Sequence, residues 1–468
     1  MFDTYIDDNK EKIINTVCDL IKFKSVSIET EDSNNPFGEE CTKVLEKTLD
    51  IAKSMGFNTK NIDNYCGYIE FGEGKELVGI IGHLDVVPAK ESDGWSTPPF
   101  EPSIRDSKIF GRGTIDDKGP VVAALYAMKA VLDNAKINKR VRLILGLNEE
   151  NGWKCIEHYK KTEEIPNISF SPDSNFPAIY AEKGIISMEL KHPFFIKDTE
   201  ILNIDYNDNA LNVVPKICSI TLKIKNETLL SNIINTSFDN IEIEILDKEI
   251  IKIISHGKAA HAARLQLGEN AITNLVKFLL ENFETSEYLK ALYNLGLFEL
   301  ESPHFFTISD FNSNIDSKKE KIQDESGALT SNIAVLDYKE NKLIIKINLR
   351  VPVKTTLNFI EEKYNLLKSL FSDLEVSTLS KQEPLYVEKD SFLVKTLVDI
   401  YNKKTNSNLE PIAIGGGTFA RAFENSIAYG LTFPNEEDKC HQVDEFVNID
   451  SLILGTKIYA EAIYELSK

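Results

Sequence analysis

The sequence has no closely paired cysteines. Its six cysteines are scattered from Cys18 to Cys440 over 468 residues, and no two of them form a CxxC pair. Zinc ribbons and small disulfide scaffolds need closely spaced cysteines, so the sequence argues against both classes. In a large chain with no pattern typical of secretion, free thiols are the expected state.

Positive charge and long apolar runs are also scarce. The chain has 53 Lys and Arg against 73 Asp and Glu, a formal charge of -20. This balance argues against a nucleic-acid partner, because phosphate binding requires clustered cationic side chains. No apolar stretch reaches the length that crosses a bilayer, and the acidic first residues lack the apolar core of a secretory signal. We therefore expect a cytoplasmic protein that binds neither nucleic acid nor membrane.

The first part of the chain alternates segments typical of helices and buried strands. ELVGIIGHLDVV, VRLILGLNEE and ISFSPDSNFP contain continuous apolar runs, as expected for strands covered on both faces. PVVAALYAMKAVLDNA is typical of a helix with Pro120 in its first turn, where the missing N–H costs nothing. The alternation predicts an α/β fold with a mixed, largely parallel central sheet flanked by helices.

The pattern changes near residue 185. GIISMELKHP, SITLKIKN and NKLIIKINLRVPV are strand-like, and NAITNLVKFLLENF between them has helical periodicity. This mixture predicts a separate α+β domain, inserted into the α/β domain. We expect a catalytic domain formed by residues 1–184 and 382–468, and an inserted lid domain formed by residues 185–381.

Potential metal ligands follow several of the predicted strands. Sites in open α/β sheets form outside the carboxyl ends of the strands, so segments distant in sequence can meet there. Imidazole and carboxylate without thiolate suit Zn²⁺, Mn²⁺ or Co²⁺ in a hydrolytic site. The candidates lie in GHLD, GTIDDKG, LNEENG, SPDSNF and DKCHQVDE, and comprise His83, Asp85, Asp116, Asp117, Glu149, Glu150, Asp173 and His441.

Each of these segments has an ordinary structural explanation when it is taken alone. A histidine followed two residues later by an aspartate is often a surface pair, and paired acids usually mean a solvated loop. Their combination favours a metal site, because buried strands that end in acid pairs place charge where its desolvation is costly. Metal coordination removes that cost.

The motifs, taken in order, resemble a known family. GHLDVVP, GRGTIDDKGP, NEE, SPDSNFPAIYAEKG and a late histidine are similar to the dinuclear metallopeptidases that include carboxypeptidase G, aminoacylases and Xaa-His dipeptidases. GRGTIDDKGP and GGGTFAR resemble most closely the PepV-type bacterial dipeptidases. The likeness extends over nearly the whole chain.

The resemblance implies a set of ligands for two divalent metal ions per chain, with Zn²⁺ favoured over Mn²⁺ or Co²⁺. Asp116 would bridge both ions, and a cis peptide would follow it at Asp117. The remaining metal ligands would be His83 and Asp173 for one ion, and Glu150 and His441 for the other. Asp85 would orient the ring of His83.

The resemblance also implies the groups that act on the substrate. Glu149 would be the general base that takes a proton from a metal-bridging water and returns it to the leaving amine. In the lid, His261 would stabilise the oxyanion. Asn212, Arg350, Gly416 and Arg421 would bind the substrate. One departure is Leu265, which stands where the family usually has proline in the lid segment.

The other histidines and one cysteine match no motif position. We expect His158, His192, His256 and His304 to be structural or surface residues. Cys440 precedes His441, and neighbouring side chains on an extended segment point in opposite directions. We therefore expect that Cys440 is not a ligand.

These features predict a monomeric dipeptidase that cleaves dipeptides with free amino and carboxyl termini. An N-acyl-amino-acid deacylase or a carboxypeptidase would use the same ligands and base. A non-catalytic metal- or peptide-binding relative is a further alternative, although a site that no longer catalyses a reaction is expected to lose some of its ligands.

Overall fold

The computed structural model describes residues 2–235, 238–299 and 322–468. The chain divides into two compact units. The first unit comprises Met1–Ala181, Leu385–Ile412 and Gly417–Lys468, and the second comprises Glu182–Pro384 and Ala413–Gly416. Within the described ranges no helix has the length and apolar character to span a membrane. His304 lies outside these ranges.

A nine-stranded mixed sheet forms the centre of the first unit. Strands run in the order β1-β2-β6-β3-β7-β22-β9-β20, and β21 pairs with β9 outside this path. The strands of this sheet are β1 (Asn58–Ile62), β2 (Cys66–Phe71), β3 (Leu77–His83), β6 (Arg140–Gly146), β7 (Ile168–Ser171), β9 (Ile179–Glu182), β20 (Leu385–Tyr386), β21 (Ile412–Ile414) and β22 (Ser426–Ala428).

Smaller strands and seven described helices complete the first unit. The short strands are β4 (Ser103–Arg105), β5 (Lys108–Phe110), β8 (Ser174–Asn175), β23 (Leu431–Thr432) and β24 (Phe446–Asn448). The helices are α1 (Phe2–Asp8), α2 (Lys10–Ile21), α3 (Glu39–Ser54), α4 (Lys118–Asn134), α5 (Lys154–Thr162), α10 (Phe392–Thr405) and α11 (Ile449–Ser467).

The central strands are parallel and buried, as their apolar runs predict. All seven residues of β3 are buried, and this strand pairs in parallel with β6 and β7. Strand β22 continues the parallel set beside β7, whereas β1, β2 and β9 pair in antiparallel fashion. Helix α4, buried over most of its length, packs against α11. The predicted α/β class with a mixed, largely parallel sheet is confirmed.

The second unit contains two antiparallel sheets of four strands with helices between them in sequence. One sheet has the order β17-β18-β10-β19 and the other β11-β12-β14-β13. The strands are β10 (Gly184–Pro193), β11 (Thr199–Asp205), β12 (Ile217–Ile224), β13 (Ile241–Ile245), β14 (Ile250–His256), β15 (Gln323–Asp324), β16 (Gly327–Ala328), β17 (Thr330–Lys339), β18 (Lys342–Val351) and β19 (Glu375–Gln382). The helices are α6 (Glu227–Ile234), α7 (Ala271–Asn282), α8 (Glu287–Asn294) and α9 (Leu357–Leu366).

One continuous apolar core joins these elements of the second unit. The alternating residues of β10 and β18 contribute one face, for example Ile186, Met188, Ile345 and Ile347. Helix α7 contributes its apolar side, including Leu275. This unit therefore has the α+β composition that the strand-rich sequence predicts.

Candidate metal centre

Three parallel strands end at the same edge of the central sheet and bring the candidate ligands together. His83 is the last residue of β3, and it is in register with Gly146 at the end of β6. Glu150 follows β6, and Asp173 follows β7, the other neighbour of β3. The parallel register thus places these side chains close in space although they are far apart in sequence.

Asp116 lies between the two imidazoles of the site. It precedes α4, whose first turn begins after Asp117, and its side chain is buried. Its Oδ1 atom lies 2.9 Å from Nε2 of His83, and its Oδ2 atom lies 2.9 Å from Nε2 of His441. The peptide bond between Asp116 and Asp117 is cis, as the family resemblance implies.

Two further carboxylates flank this arrangement. Oδ2 of Asp173 is 3.7 Å from Nε2 of His83, and Oε2 of Glu150 is 3.1 Å from Nε2 of His441. Two groups of potential ligand atoms result, each within 4.8 Å: His83, Asp116 and Asp173 in one, and Asp116, Cys440 and His441 in the other. Asp116 belongs to both. The structure therefore gathers the other four predicted ligands around Asp116.

Unpaired atoms at this site test whether a cation fits. Nε2 of His83 and Oδ1 of Asp116 are buried and have no hydrogen-bond partner, although they lie 2.9 Å apart. Nδ1 of His83 is 2.9 Å from the carbonyl oxygen of Asp85. When Nδ1 donates to that carbonyl, Nε2 presents a lone pair to a carboxylate oxygen. Two buried acceptors that face each other fit a shared cation, which satisfies both.

Negative charge accumulates around both imidazoles. Burial lowers the pKa of His83, but Asp116 and Asp173 outweigh it and raise this pKa well above its ordinary value. Burial likewise lowers the pKa of His441, yet Asp116 and Glu150 raise it to about 11. Burial raises the pKa of Asp116, but His441 and His83 hold it well below the usual range. The site therefore favours bound positive charge.

The pKa values of the two flanking acids are raised, in contrast to that of Asp116. Burial, then the charge of Asp116, raises the pKa of Glu150 to about 7 and also raises the pKa of Asp173. These carboxyl groups hold protons more tightly than exposed acids do because they are buried and because negative charge is crowded here. A divalent cation would replace those protons, so the ligands and their charge match a metal centre.

Glu149 precedes Glu150, and neither glutamate belongs to the two three-residue groups described above. Burial, followed by the charges of Asp173 and Glu150, raises the pKa of Glu149 well above its ordinary value, against the lowering effect of His83. Nε1 of Trp153 donates a hydrogen bond to Oε1 of Glu149 over 3.2 Å. A carboxyl group with a raised pKa beside a metal centre suits proton transfer.

Trp153 was not singled out by the sequence. Its backbone has a φ of 70°, in the left-handed region that a bulky residue rarely adopts. Its N–H donates to the carbonyl of Asn148 over 2.7 Å, and its ring packs edge-on against Phe419. The strained turn thus aims the indole N–H at Glu149.

Asp85 supports the site through two kinds of contact. Its carbonyl oxygen faces Nδ1 of His83 at 2.9 Å, whereas its carboxylate lies 3.5 Å from the same atom. That carboxylate accepts hydrogen bonds from the backbone N–H groups of Glu149 and Glu150, each over 3.1 Å. Asp85 therefore orients the imidazole with its main chain and the two glutamates with its side chain.

The side chain of Cys440 points differently from what the sequence predicts. Its Sγ atom lies 2.8 Å from Oδ2 of Asp116, so the prediction that this side chain points away from the site is wrong. The reason is local conformation: His441 has a φ of 62°, and the segment is not extended there. Burial and the charge of Asp116 raise the pKa of the Cys440 thiol, which keeps its proton and donates to the carboxylate.

Two buried residues near the site also escaped the sequence reasoning. Arg112 and Glu445 form an ion pair with an Nη1–Oε2 distance of 2.5 Å. Burial raises the pKa of Glu445 against the lowering effect of Arg112. The acid pair Asp444-Glu445 follows closely after His441 and marks Glu445 as a candidate, but no pattern signals its contact with Arg112, because the two residues lie 333 positions apart.

The residues predicted for the lid belong to the second unit. His261 precedes a short 3₁₀ helix (Ala262–Leu267), and its Nδ1 atom accepts the N–H of Ala263. His261 forms an antiparallel bridge with Val213, and the carbonyl of Asn212 accepts the N–H of Ala262 over 2.8 Å. The structure thus brings His261 and Asn212 together on adjacent segments.

Other positions of the lid segment and of the glycine loop are also defined. Leu265 is buried in a small apolar cluster. Arg350 is buried near the end of β18, where its Nη1 atom donates to the carbonyl of Gly415 over 3.1 Å. Gly416 groups with the second unit, whereas Arg421 lies in a 3₁₀ helix (Phe419–Ala422) of the first unit. The unit boundary therefore falls inside the GGGT loop.

Comparison with known proteins identifies relatives over almost the entire chain. Residues 79–465 match the family described as Peptidase family M20/M25/M40. A Bacillus subtilis protein named "Putative dipeptidase YtjP" is 37% identical over 472 residues, which cover 98% of each chain. A Staphylococcus aureus protein named "Putative dipeptidase SAB1611c" is 34% identical over 480 residues, covering 100% of this chain and 99% of that protein.

Solved structures of low sequence identity share the fold. Human carnosine dipeptidase 1 superposes with a TM-score of 0.60 at 17% identity, covering 99% of this chain and 98% of that one. The Bacillus subtilis YXEP protein, described as a dinuclear metal binding peptidase, has a TM-score of 0.53 at 9% identity, with coverages of 98% and 99%. These likenesses establish the architecture, an α/β fold with a mixed central sheet flanked by helices.

Proposed function

This chain belongs to peptidase family M20/M25/M40, and from that membership we propose that it is a metal-dependent dipeptidase. The substrates are dipeptides with free amino and carboxyl termini. Similarity over nearly the full length to the two bacterial relatives named above supports this proposal. The closer resemblance to PepV-type dipeptidases stays a prediction.

The observation that carries the proposal is the position of Asp116 between two imidazoles. One carboxylate oxygen faces His83 and the other faces His441, each at 2.9 Å. Asp173 lies beside His83, and Glu150 lies beside His441. Two divalent cations held by these five residues would polarise the scissile carbonyl and make an attacking water more acidic. Imidazole and carboxylate ligands suit Zn²⁺, Mn²⁺ or Co²⁺, and the family resemblance favours Zn²⁺ among them.

We assign the proton transfer to Glu149. It is the neighbour of the proposed ligand Glu150, and the family resemblance leaves it unligated, so that its oxygens stay available to a proton. The raised pKa of Glu149 lets it accept a proton from the attacking water and release that proton to the leaving amine. The indole N–H of Trp153 holds one carboxylate oxygen, which leaves the other free to act.

We further propose that the first unit is the catalytic domain and that the second unit is a lid domain that binds substrate. His261 and Asn212 present polar groups from adjacent segments of the second unit. Arg350 offers a guanidinium group suited to a substrate carboxylate. Arg421 and the backbone of Gly416 are assigned the same task on the strength of the GGGTFAR motif. The protein is proposed to act as a monomer, which light scattering during gel filtration tests directly.

The decisive experiment is reconstitution of metal-free protein. Dipeptides and their N-acetylated analogues are assayed on apo-protein and after separate addition of Zn²⁺, Mn²⁺ and Co²⁺. We expect no hydrolysis by apo-protein, recovery with at least one metal, and a strong preference for the free amine. Preference for the N-acetylated analogues indicates a deacylase, and metal binding without any hydrolysis indicates a non-catalytic relative. Either result contradicts the proposal.

A further inference from the structure

A buried carboxylate outside the ligand set contacts two of the ligand segments. Glu445 lies four residues after His441 and is fully buried. Its Oε1 atom accepts hydrogen bonds from the backbone N–H groups of Gly113 and Ile115, each over 3.0 Å, and of Asp116 over 3.3 Å. One acid from the His441 segment is thus bound to the main chain of the central ligand.

The opposite oxygen of this acid is also engaged. Oε2 of Glu445 receives a hydrogen bond from Nη1 of Arg112 over 2.5 Å, and Arg112 is itself 4% exposed. A buried carboxylate is costly unless it is paired and hydrogen-bonded, and here four donors satisfy it. All four donors belong to the segment that ends at Asp116.

The backbone around Glu445 reinforces this connection. The carbonyl of Glu445 accepts the N–H of Gly111 over 3.0 Å. Immediately afterwards, β24 pairs in antiparallel fashion with β5, with Phe446 opposite Phe110. The two segments therefore run side by side from β5 up to Asp116, although more than 320 residues separate them in sequence.

We propose that Glu445 is a positioning residue for the metal centre. It fixes the main chain of Asp116 against the loop that carries His441, so that both ligands meet the same divalent cation. This inference rests on the proposed function only for the existence of the metal centre. It does not depend on which substrate is cleaved. The backbone before Asp116 has no regular structure of its own, so the acid supplies the acceptor that its N–H groups require.

A second ion pair in the first unit provides a matched control. Glu70 and Arg142 pair across β2 and β6, with an Nε–Oε2 distance of 2.7 Å. This pair lies four positions before Gly146, which is in register with His83, or about 13 Å along the strand. Loss of either pair perturbs the fold, but only loss of Glu445 should alter the ligands.

The test compares wild type, Glu445→Gln and Glu70→Gln by metal affinity, measured as competition with a fluorescent chelator for Zn²⁺. We expect Glu445→Gln to weaken affinity by about 10- to 100-fold, as removal of an outer support typically does, and Glu70→Gln to change it less than about threefold. The visible absorption of the Co²⁺-loaded protein should shift in the first variant only. Unchanged affinity in a folded Glu445→Gln protein, or an equal loss in Glu70→Gln, overturns the inference.

Circular dichroism establishes that each variant is folded. If Glu445→Gln does not fold, Glu445→Asp is measured instead. This variant keeps the charge, but its shorter side chain withdraws the carboxylate from the three backbone donors. An affinity for Zn²⁺ equal to that of the wild type then overturns the inference. The same measurements separate this inference from the proposed function. A wild-type protein that binds metal but cleaves no dipeptide contradicts only the function, whereas an active wild type with an unaffected Glu445→Gln variant contradicts only the role of Glu445.

Discussion

The polar clusters of the two units differ in what satisfies them. In the first unit, Nε2 of His83 and Oδ1 of Asp116 are buried with no hydrogen-bond partner. In the second unit, the guanidinium of Arg350, a predicted substrate-binding group, donates to Oδ1 of Asn348 and to the carbonyl of Gly415. Unpaired acceptors indicate a place for a cation, whereas satisfied donors indicate a rigid surface that presents side chains. The comparison separates residues that we propose to bind metal from residues that we propose to bind substrate.

The second unit builds this rigid surface with buried amides. Nδ2 of Asn332, which is fully buried, donates to the carbonyls of Leu211 and Val213 on either side of Asn212. Asn270 in turn donates to Oδ1 of Asn332 over 3.3 Å. The segment beside His261 is therefore held in place by the protein itself, without need of a bound ion.

The largest expected effect separates chemistry from metal binding in the first unit. Glu149→Gln removes the proposed base but leaves the five ligands, so kcat should fall by about 10²- to 10⁴-fold while metal content stays at the wild-type value. Steady-state kinetics and metal analysis of the same preparation measure both. Glu157→Gln, on the exposed side of α5, serves as the control and should behave as wild type. Near-normal turnover in Glu149→Gln would show that another group moves the proton.

The next effect tests whether the second unit acts on substrate. Arg350→Met should lower kcat/KM by about 10- to 100-fold, mainly through KM, because a charge-assisted hydrogen bond to the substrate carboxylate is lost. Metal affinity should not change. With a dipeptide amide, which lacks that carboxylate, the difference in kcat/KM between the variant and the wild type should be smaller. Lys346→Met, on the same strand, is the control and should leave kcat/KM unchanged. If Arg350→Met lowers kcat/KM for the amide as much as for the dipeptide, the assignment of Arg350 is contradicted.

The next effect, counted for one pH unit and one proton, concerns pH and the metal centre. His441, with a pKa of about 11, and Glu150, with a pKa of about 7, hold protons that a cation must displace. Both pKa values are raised, so protons compete more strongly as pH falls, and affinity should drop by about tenfold per pH unit for each proton released. Zn²⁺ competition with a calibrated indicator at pH 6, 7 and 8 measures this slope. A flat profile would mean that these groups do not bind the ion.

The smallest effect concerns the orientation of the base. Trp153→Phe removes the indole N–H that contacts Glu149 but keeps an aromatic ring. We expect kcat to fall by about three- to tenfold with KM and metal content unchanged, since the loss of one ordinary hydrogen bond costs about 1 kcal/mol. Tyr126→Phe removes a buried hydroxyl that contacts Thr16 instead, and it should leave kcat unaltered. A change in metal content in Trp153→Phe would point to a structural role.

Several parts of the fold and of the site could be predicted from local patterns. The apolar run of β3 predicted a strand buried on both faces, and Pro120 marked the first turn of α4. Because parallel strands end at a common edge, the polar residues at the ends of β3, β6 and β7 were expected to meet. Asp173 does contact His83, and Asp85 accepts hydrogen bonds from the loop that follows β6. Periodicity and strand-end chemistry are properties of neighbouring residues, so the sequence carries them directly.

Contacts that depend on a single backbone angle or on segments far apart in the chain could not be predicted in this way. The left-handed φ of His441 turns Cys440 towards Asp116, and no pattern in DKCHQVDE signals that angle. Likewise, the amides that bind Glu445 lie about 330 residues away, so only the folded chain reveals their role.

By itself the sequence determined which residue types were available for metal binding and at which strand ends they stand, because hydrophobic periodicity sets where strands begin and end. The tertiary structure decided which carboxylates face an imidazole and which support the backbone behind it. Asp116 and Glu445 are both buried acids, but one has an unpaired oxygen facing His83 and the other is surrounded by donors. That difference arises from desolvation and the surrounding partners, which exist only once distant segments have packed together.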